Sequence, residues 1–188
     1  MMRKTTLLIC LLTVMTLAQF GLTGSSVDTT HYEQTVEKTE QIKEEMDQLN
    51  YQVDQARDFL VVLYGDHGKP DPFEESSSAE ENAGTLQGSI DAAEEARAKE
   101  HLGNFWDLPD TISDLLERST ELLPTVVEDL ESVATDLEEN PASATELSAI
   151  QDNLNEARDN LQATIDQLPM IQADVETITA ILEGLTGE

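Results

Sequence analysis

Apolar residues recur every three or four positions along three long stretches of this chain. In the first, Ile42, Met46, Leu49, Val53, Ala56, Leu60 and Leu63 step by 4, 3, 4, 3, 4 and 3. Side chains at that spacing line one face of an α-helix, and the strict alternation is the heptad pattern of helices that pack along their length. Thr30 and Glu33 form a capping-box pair, so a helix is expected from about Tyr32 to Tyr64, roughly 50 Å long. Gly65 to Pro72 (GDHGKPDP) should end it, because glycine accepts the left-handed cap and proline cannot continue the helix. The apolar run from Phe59 to Tyr64 is wider than one stripe, which suits a buried helix end or a partner surface.

The next long stretch repeats the rule. Ile112, Leu116, Ser119, Leu123, Val126, Leu130, Val133 and Leu137 alternate in steps of 4 and 3, and Leu115, Leu122 and Val127 widen the stripe. Asn140-Pro141 closes this segment, and Ser143 with Glu146 marks a capping box for the next. There, Leu147, Ile150, Leu154, Ala157, Leu161, Thr164, Leu168, Ile171, Val175, Ile178, Leu182 and Leu185 keep the alternation without a skip. So short a connection implies that the last two helices pack antiparallel. Pro124 and Pro169 each follow a stripe leucine directly and fall on the outward face, so they are read as kinks that leave the register intact. The segments around them, LLPTVVEDLESVATDLEE and QLPMIQADVETITAILEG, are weakly alike and suggest an internal duplication.

Between the first and third stretches the pattern changes. Residues 65–88 are rich in Gly, Pro, Ser and acids, with Ser76-Ser77-Ser78 at the centre, and read as an exposed linker. Ser89 is the expected cap of a short helix, Ile90 to Leu102. Phe105 and Trp106 then form a corner that packs rings on neighbouring helices. The expected fold is therefore all-α: an elongated antiparallel helical bundle or coiled coil of three long helices plus one short helix.

The N-terminus has a different logic. Arg3 and Lys4 precede an apolar run, Leu7 to Leu17, which is long enough for a signal peptide and too short to span a bilayer. Residues 1–18 are read as that signal peptide, with Thr16-Leu17-Ala18 or Thr23-Gly24-Ser25 as the cleavage site. The parts that follow are 19–64 with the first heptad helix, the linker 65–88, and 89–188 ending in the antiparallel pair. Cys10 is the single cysteine and would leave with the leader, so disulfides and thiolate zinc sites are excluded from the mature chain.

Charge narrows the partners. The chain has 39 acidic and 10 basic residues, a formal net charge of -29. Such a surface repels phosphates, which argues against nucleic acid and against anionic membranes. It favours basic protein surfaces, weakly held divalent cations or a saline setting. Stable membrane insertion after signal cleavage is not expected. Most acids fall off the stripes, among them Asp47, Asp54 and Asp58, then Glu117, Glu121, Glu128, Glu131 and Glu138, as in any soluble bundle.

Candidate chemistry is sparse. His31, His67 and His101 are scattered, and no zinc-protease motif, EF-hand loop or nucleophile triad is encoded. No cofactor is expected. One segment stands out as a docking candidate: Asp71, Phe73, Glu74, Glu75, Glu80 and Glu81 set an aromatic ring among acids in the linker, where charge would speed encounter and the ring would anchor. Ser78-Ala79-Glu80 also fits a short secretory-pathway phosphorylation pattern. The leading expectation is a secreted, acidic, non-enzymatic helical interaction protein that binds a partner protein or self-associates through its heptad faces. Three alternatives stay open: an acidic extracellular matrix protein binding calcium or mineral, a secreted inhibitor docking its acidic linker on a basic site, and an acid excess that reflects a salt-rich habitat and carries no function.

Overall fold

The computed structural model describes residues 29–74 and 86–186. The leader with Cys10, residues 19–28 and the linker centre around Ser76, Ser77 and Ser78 lie outside the described residues. What is described is all-helical: α1 (Thr30–Asp66), α2 (Ala92–Leu102), α3 (Leu108–Glu139) and α4 (Ala144–Thr186), with 3-10 turns at Gly103–Asp107 and Pro141–Ser143. No strand occurs among the described residues.

The α1 stripe packs as its spacing dictates. All seven heptad residues from Ile42 to Leu63 are buried, and the same alternation extends back through Thr39, Thr35 and Tyr32. The two threonines are tolerated in the core because each hydroxyl donates to a backbone carbonyl one turn earlier, Thr35 to His31 at 3.1 Å and Thr39 to Val36 at 2.7 Å. The end of α1 is a Schellman cap. Lys69 N–H donates to Tyr64 C=O at 2.9 Å and Gly68 N–H to Gly65 C=O at 3.0 Å. Gly68 carries the left-handed φ of 65° that this geometry demands.

The cap of α2 differs from the Ser89 expected above. Asp91 is the N-cap: its carboxylate accepts from Ala93 and Glu94 N–H, and Glu94 reaches back to Asp91 N–H. The reciprocal pair Asp91-x-x-Glu94 satisfies three orphan donors at once, which a lone serine cannot do. Phe105 is buried at the corner, while Trp106 faces outward. The Phe59 end of the wide apolar run is covered in part by α2, with the Phe59 and His101 rings 4.6 Å apart.

Long helices pack on each other throughout. On α4, eleven of the twelve stripe residues are buried and Ile150 is half-buried. Pro124 and Pro169 lie inside continuous helices and face outward, as their position beside the stripe predicts. The start of α4 is set by the 3-10 turn that follows Asn140, with Ser143 N–H donating to Asn140 C=O. On α1 and α3, Tyr32 meets Ser132 and Asp136, and Glu45 meets Arg118. On the opposite flank of the α1 stripe, Arg57 reaches Asp174 of α4.

The α3 stripe departs from expectation. Two heptad frames share Ile112, Ser119, Val126 and Val133. One adds Leu116, Leu123, Leu130 and Leu137; the other adds Leu115, Leu122, Asp129 and Asp136. Hydrophobicity alone selects the first. The helix instead buries Leu115 and Asp129 and leaves Leu116 39 % exposed. The reason lies on α1, where His31 and Tyr32 offer polar partners that meet Asp129 and Asp136 and offset their burial.

Candidate functional site

Among the described residues, the rotated packing of α3 leaves an apolar face only partly covered, with Leu116 and Val127 exposed. Leu116, Leu123, Leu130 and Leu137 are spaced by seven residues. Val127 sits between them and is 41 % exposed, while Leu123, Leu130 and Leu137 are half-buried. Thr120 and Ala134, both exposed, fill the remaining positions of the same alternation. The result is a second heptad seam on a helix that already uses its first one inside the core. Other large exposed apolar residues, Tyr51, Val62 and Met170, stand singly on their helices, which is ordinary for a folded surface.

One edge of this seam is charged with a single sign. Glu117, Glu121, Glu128, Glu131 and Glu138 are all exposed on the outer face of α3. Arg118, the one cation on this helix, is turned toward α1 and is hydrogen-bonded to Glu45. Its Nε lies 2.8 Å from Asp114 Oδ2, close enough to attract although the N–H does not point at the oxygen. The hydrogen bond to Glu45 holds the guanidinium above its ordinary pKa. Partial burial opposes that rise, and the Glu45 and Asp114 charges add to it.

The side of α3 turned to α1 carries polar groups. Asp129 is 5 % exposed and pairs through Oδ1 with His31 Nδ1 at 2.8 Å. Its Oδ2 has no hydrogen-bond partner among the described residues, and neither has the Ser119 hydroxyl. Tyr32 hydroxyl lies 3.1 Å from Ser132 Oγ and donates to Asp136 at 3.4 Å.

The acidic-aromatic docking segment takes a definite position where it is described. Asp71 carboxylate accepts from Phe73 N–H at 2.8 Å, an Asx turn that folds the segment back. Pro72 is buried, and Arg57 lies over the Phe73 ring at 5.1 Å while also pairing with Asp174 at 3.1 Å. Phe73 thus rests on the chain's own arginine, and Glu74 is exposed beside it. Glu75, Glu80 and Glu81 lie outside the described residues, as does Ser78. The three histidines remain apart: His31 serves Asp129, His67 lies 3.3 Å from Glu94, and His101 stacks on Phe59. No group of three or more His, Cys, Asp or Glu that could hold a metal occurs among the described residues. No described helix is long and apolar enough to cross a membrane.

Sequence reasoning named the leucines and the valine of the α3 seam but placed them in the core. The acids Asp129 and Asp136, which share a face with Leu115 and Leu122, argue from sequence against burying that face; only their partners His31 and Tyr32 on α1 account for it. No protein family, curated protein or solved structure matches the chain.

Proposed function

We propose that this chain is a secreted, acidic, non-enzymatic helical protein that works by binding another protein through a heptad face. Its architecture is an elongated antiparallel bundle of three long helices and one short one. The order of the cross-helix pairs supports that topology: Tyr32 with Ser132 and Asp136, then Glu45 with Arg118 as α1 advances and α3 recedes. The observation that carries the function is the seam of Leu116, Leu123, Val127, Leu130 and Leu137, which the described residues cover only in part, leaving Leu116 and Val127 exposed. A seam of this length on a rigid helix is the ordinary receptor for an amphipathic partner helix. Export rests on the charged start and short apolar run of residues 1–18. The inhibitor reading is weakened by the contact of Phe73 with Arg57, which occupies the ring that would have to dock.

The test pairs two measurements on the wild-type chain and on a Leu116→Asp, Val127→Asp double variant. Light scattering reads self-association, and affinity capture from the fluid that bathes the expressing cells reads partner binding. The expected result is a complex that the wild type holds and the double variant loses. A wild type that stays monomeric and retains nothing the variant does not also retain overturns the reading. N-terminal sequencing of the secreted protein should begin after Ala18 or near Ser25; an intact leader overturns the export step.

A further inference from the structure

Resting on the reading of α3 as a docking face, we propose the chemistry of its occupant: a cationic amphipathic helix from a different protein. Its apolar seam would lie on Leu116, Leu123, Val127, Leu130 and Leu137. Its Lys or Arg flank would meet Glu117, Glu121, Glu128, Glu131 and Glu138.

Three observations select this occupant. The receptor seam alternates in steps of 4 and 3 from Leu116 to Leu137, the register of another helix and of no extended strand. It spans about 32 Å, or three heptads. Thr120 and Ala134 are short and exposed within it, which leaves room between the leucines for a partner's larger seam residues. Next, every titratable side chain along its outer edge is acidic, and Arg118 is already paired with Glu45. Five carboxylates in a row on one edge attract a basic flank and repel an acidic one. Lastly, a second copy of this chain is the wrong partner. A two-fold contact with α3 antiparallel to its copy would set the same glutamate row against itself, and in any arrangement the two molecules each carry a net charge of -29. Nucleic acid and anionic lipid are repelled by the same field.

The experiment uses the purified chain and three fluorescent synthetic peptides of about three heptads each. The first has Leu and Val at seam positions and Lys on the flanks. A second keeps the seam but carries Glu on the flanks. The third has the composition of the first in scrambled order, with no seam. Anisotropy titrations should show binding of the Lys-flanked helix, weakened about tenfold or more between low and half-molar salt. That affinity should fall at least about tenfold in Leu116→Asp, Val127→Asp, because two apolar contacts are lost. Should that pair disturb folding by circular dichroism, Leu116→Gln, Val127→Gln provides the milder test.

Equal binding of the scrambled peptide overturns the proposal, since diffuse charge then suffices. Equal binding of the Glu-flanked helix does the same, since the acidic edge then selects nothing. A wild-type dimer in sedimentation that the double variant dissolves makes the second copy the occupant; it overturns the cationic helix while sparing the broader heptad-face reading. Failure of all three peptides, with an α3-dependent partner still captured from native fluid, likewise overturns the chemistry and not the function. Failure of both removes the function as well.

Discussion

His31 Nδ1 stands 2.8 Å from Asp129 Oδ1, joining the first turn of α1 to the C-terminal half of α3. The pair is lopsided. The imidazole is 67 % exposed and keeps its water, whereas the carboxylate is almost fully buried with one oxygen unanswered. Losing this contact therefore costs the buried Asp129 oxygen more than the solvent-facing imidazole, which water can satisfy.

That asymmetry makes opposite predictions for the two residues. His31→Ala leaves the buried Asp129 Oδ1 without its close imidazole partner and should destabilise by about 1–3 kcal/mol. Asp129→Leu removes the buried charge, strands nothing in the interior, and should be neutral or stabilising by about 1 kcal/mol. Urea denaturation of both variants reads the sign directly. Destabilisation of several kcal/mol by Asp129→Leu would show instead that the pair contributes net stability beyond offsetting the burial of Asp129.

Ser119 occupies a core heptad position with a buried hydroxyl that finds no acceptor or donor among the described residues. Ser119→Ala removes that polar atom at little cost in volume. A rise in stability of about 1 kcal/mol is expected, seen as a higher urea midpoint with unchanged slope.

Arg118 links α3 to α1 through Glu45. Its side chain is 35 % exposed, so solvent screens the pair and Arg118→Gln should cost only about 0.5 kcal/mol. The folded state raises this pKa above its unfolded value. The arginine's contribution is accordingly fully present at any pH below the unfolded value and disappears only as pH climbs through the raised one, far into alkali. The stability difference between wild type and Arg118→Gln should stay constant from neutral to mildly alkaline pH. It should shrink in molar salt.

Asp91 closes the N-terminus of α2 by a reciprocal capping box. Asp91→Ala should cost about 1 kcal/mol and act locally. Amides of the first turn of α2 should exchange roughly fivefold faster, with those of α4 unchanged. Equal acceleration throughout would mean that α2 unfolds only with the whole bundle.

Much of this fold is written in the spacing of its apolar residues. The α1 stripe from Ile42 to Leu63 and the α4 stripe from Leu147 to Leu185 are legible because each helix offers one heptad frame and no competitor. A side chain that repeats every three or four residues can face only one way on a helix. The same holds for Pro124 and Pro169, whose place beside a stripe leucine already puts them on the outside. Asp91 was equally readable, since Asp-x-x-Glu obeys the capping rule read from sequence at Thr30 and Ser143.

On α3 the sequence pointed by hydrophobicity to the leucine frame, and the tertiary structure packed the other. Both frames pass through Ile112, Ser119, Val126 and Val133, so helical periodicity cannot separate them. The choice fell to residues remote in sequence: His31 and Tyr32 on α1 supply partners for Asp129 and Asp136, making their frame habitable in the core. The richer leucine frame was thereby turned to the flank, where Leu116 and Val127 meet solvent beside a row of glutamates. Local spacing determines that a face exists; only the neighbours across the bundle determine which face is packed inside and which is left to bind.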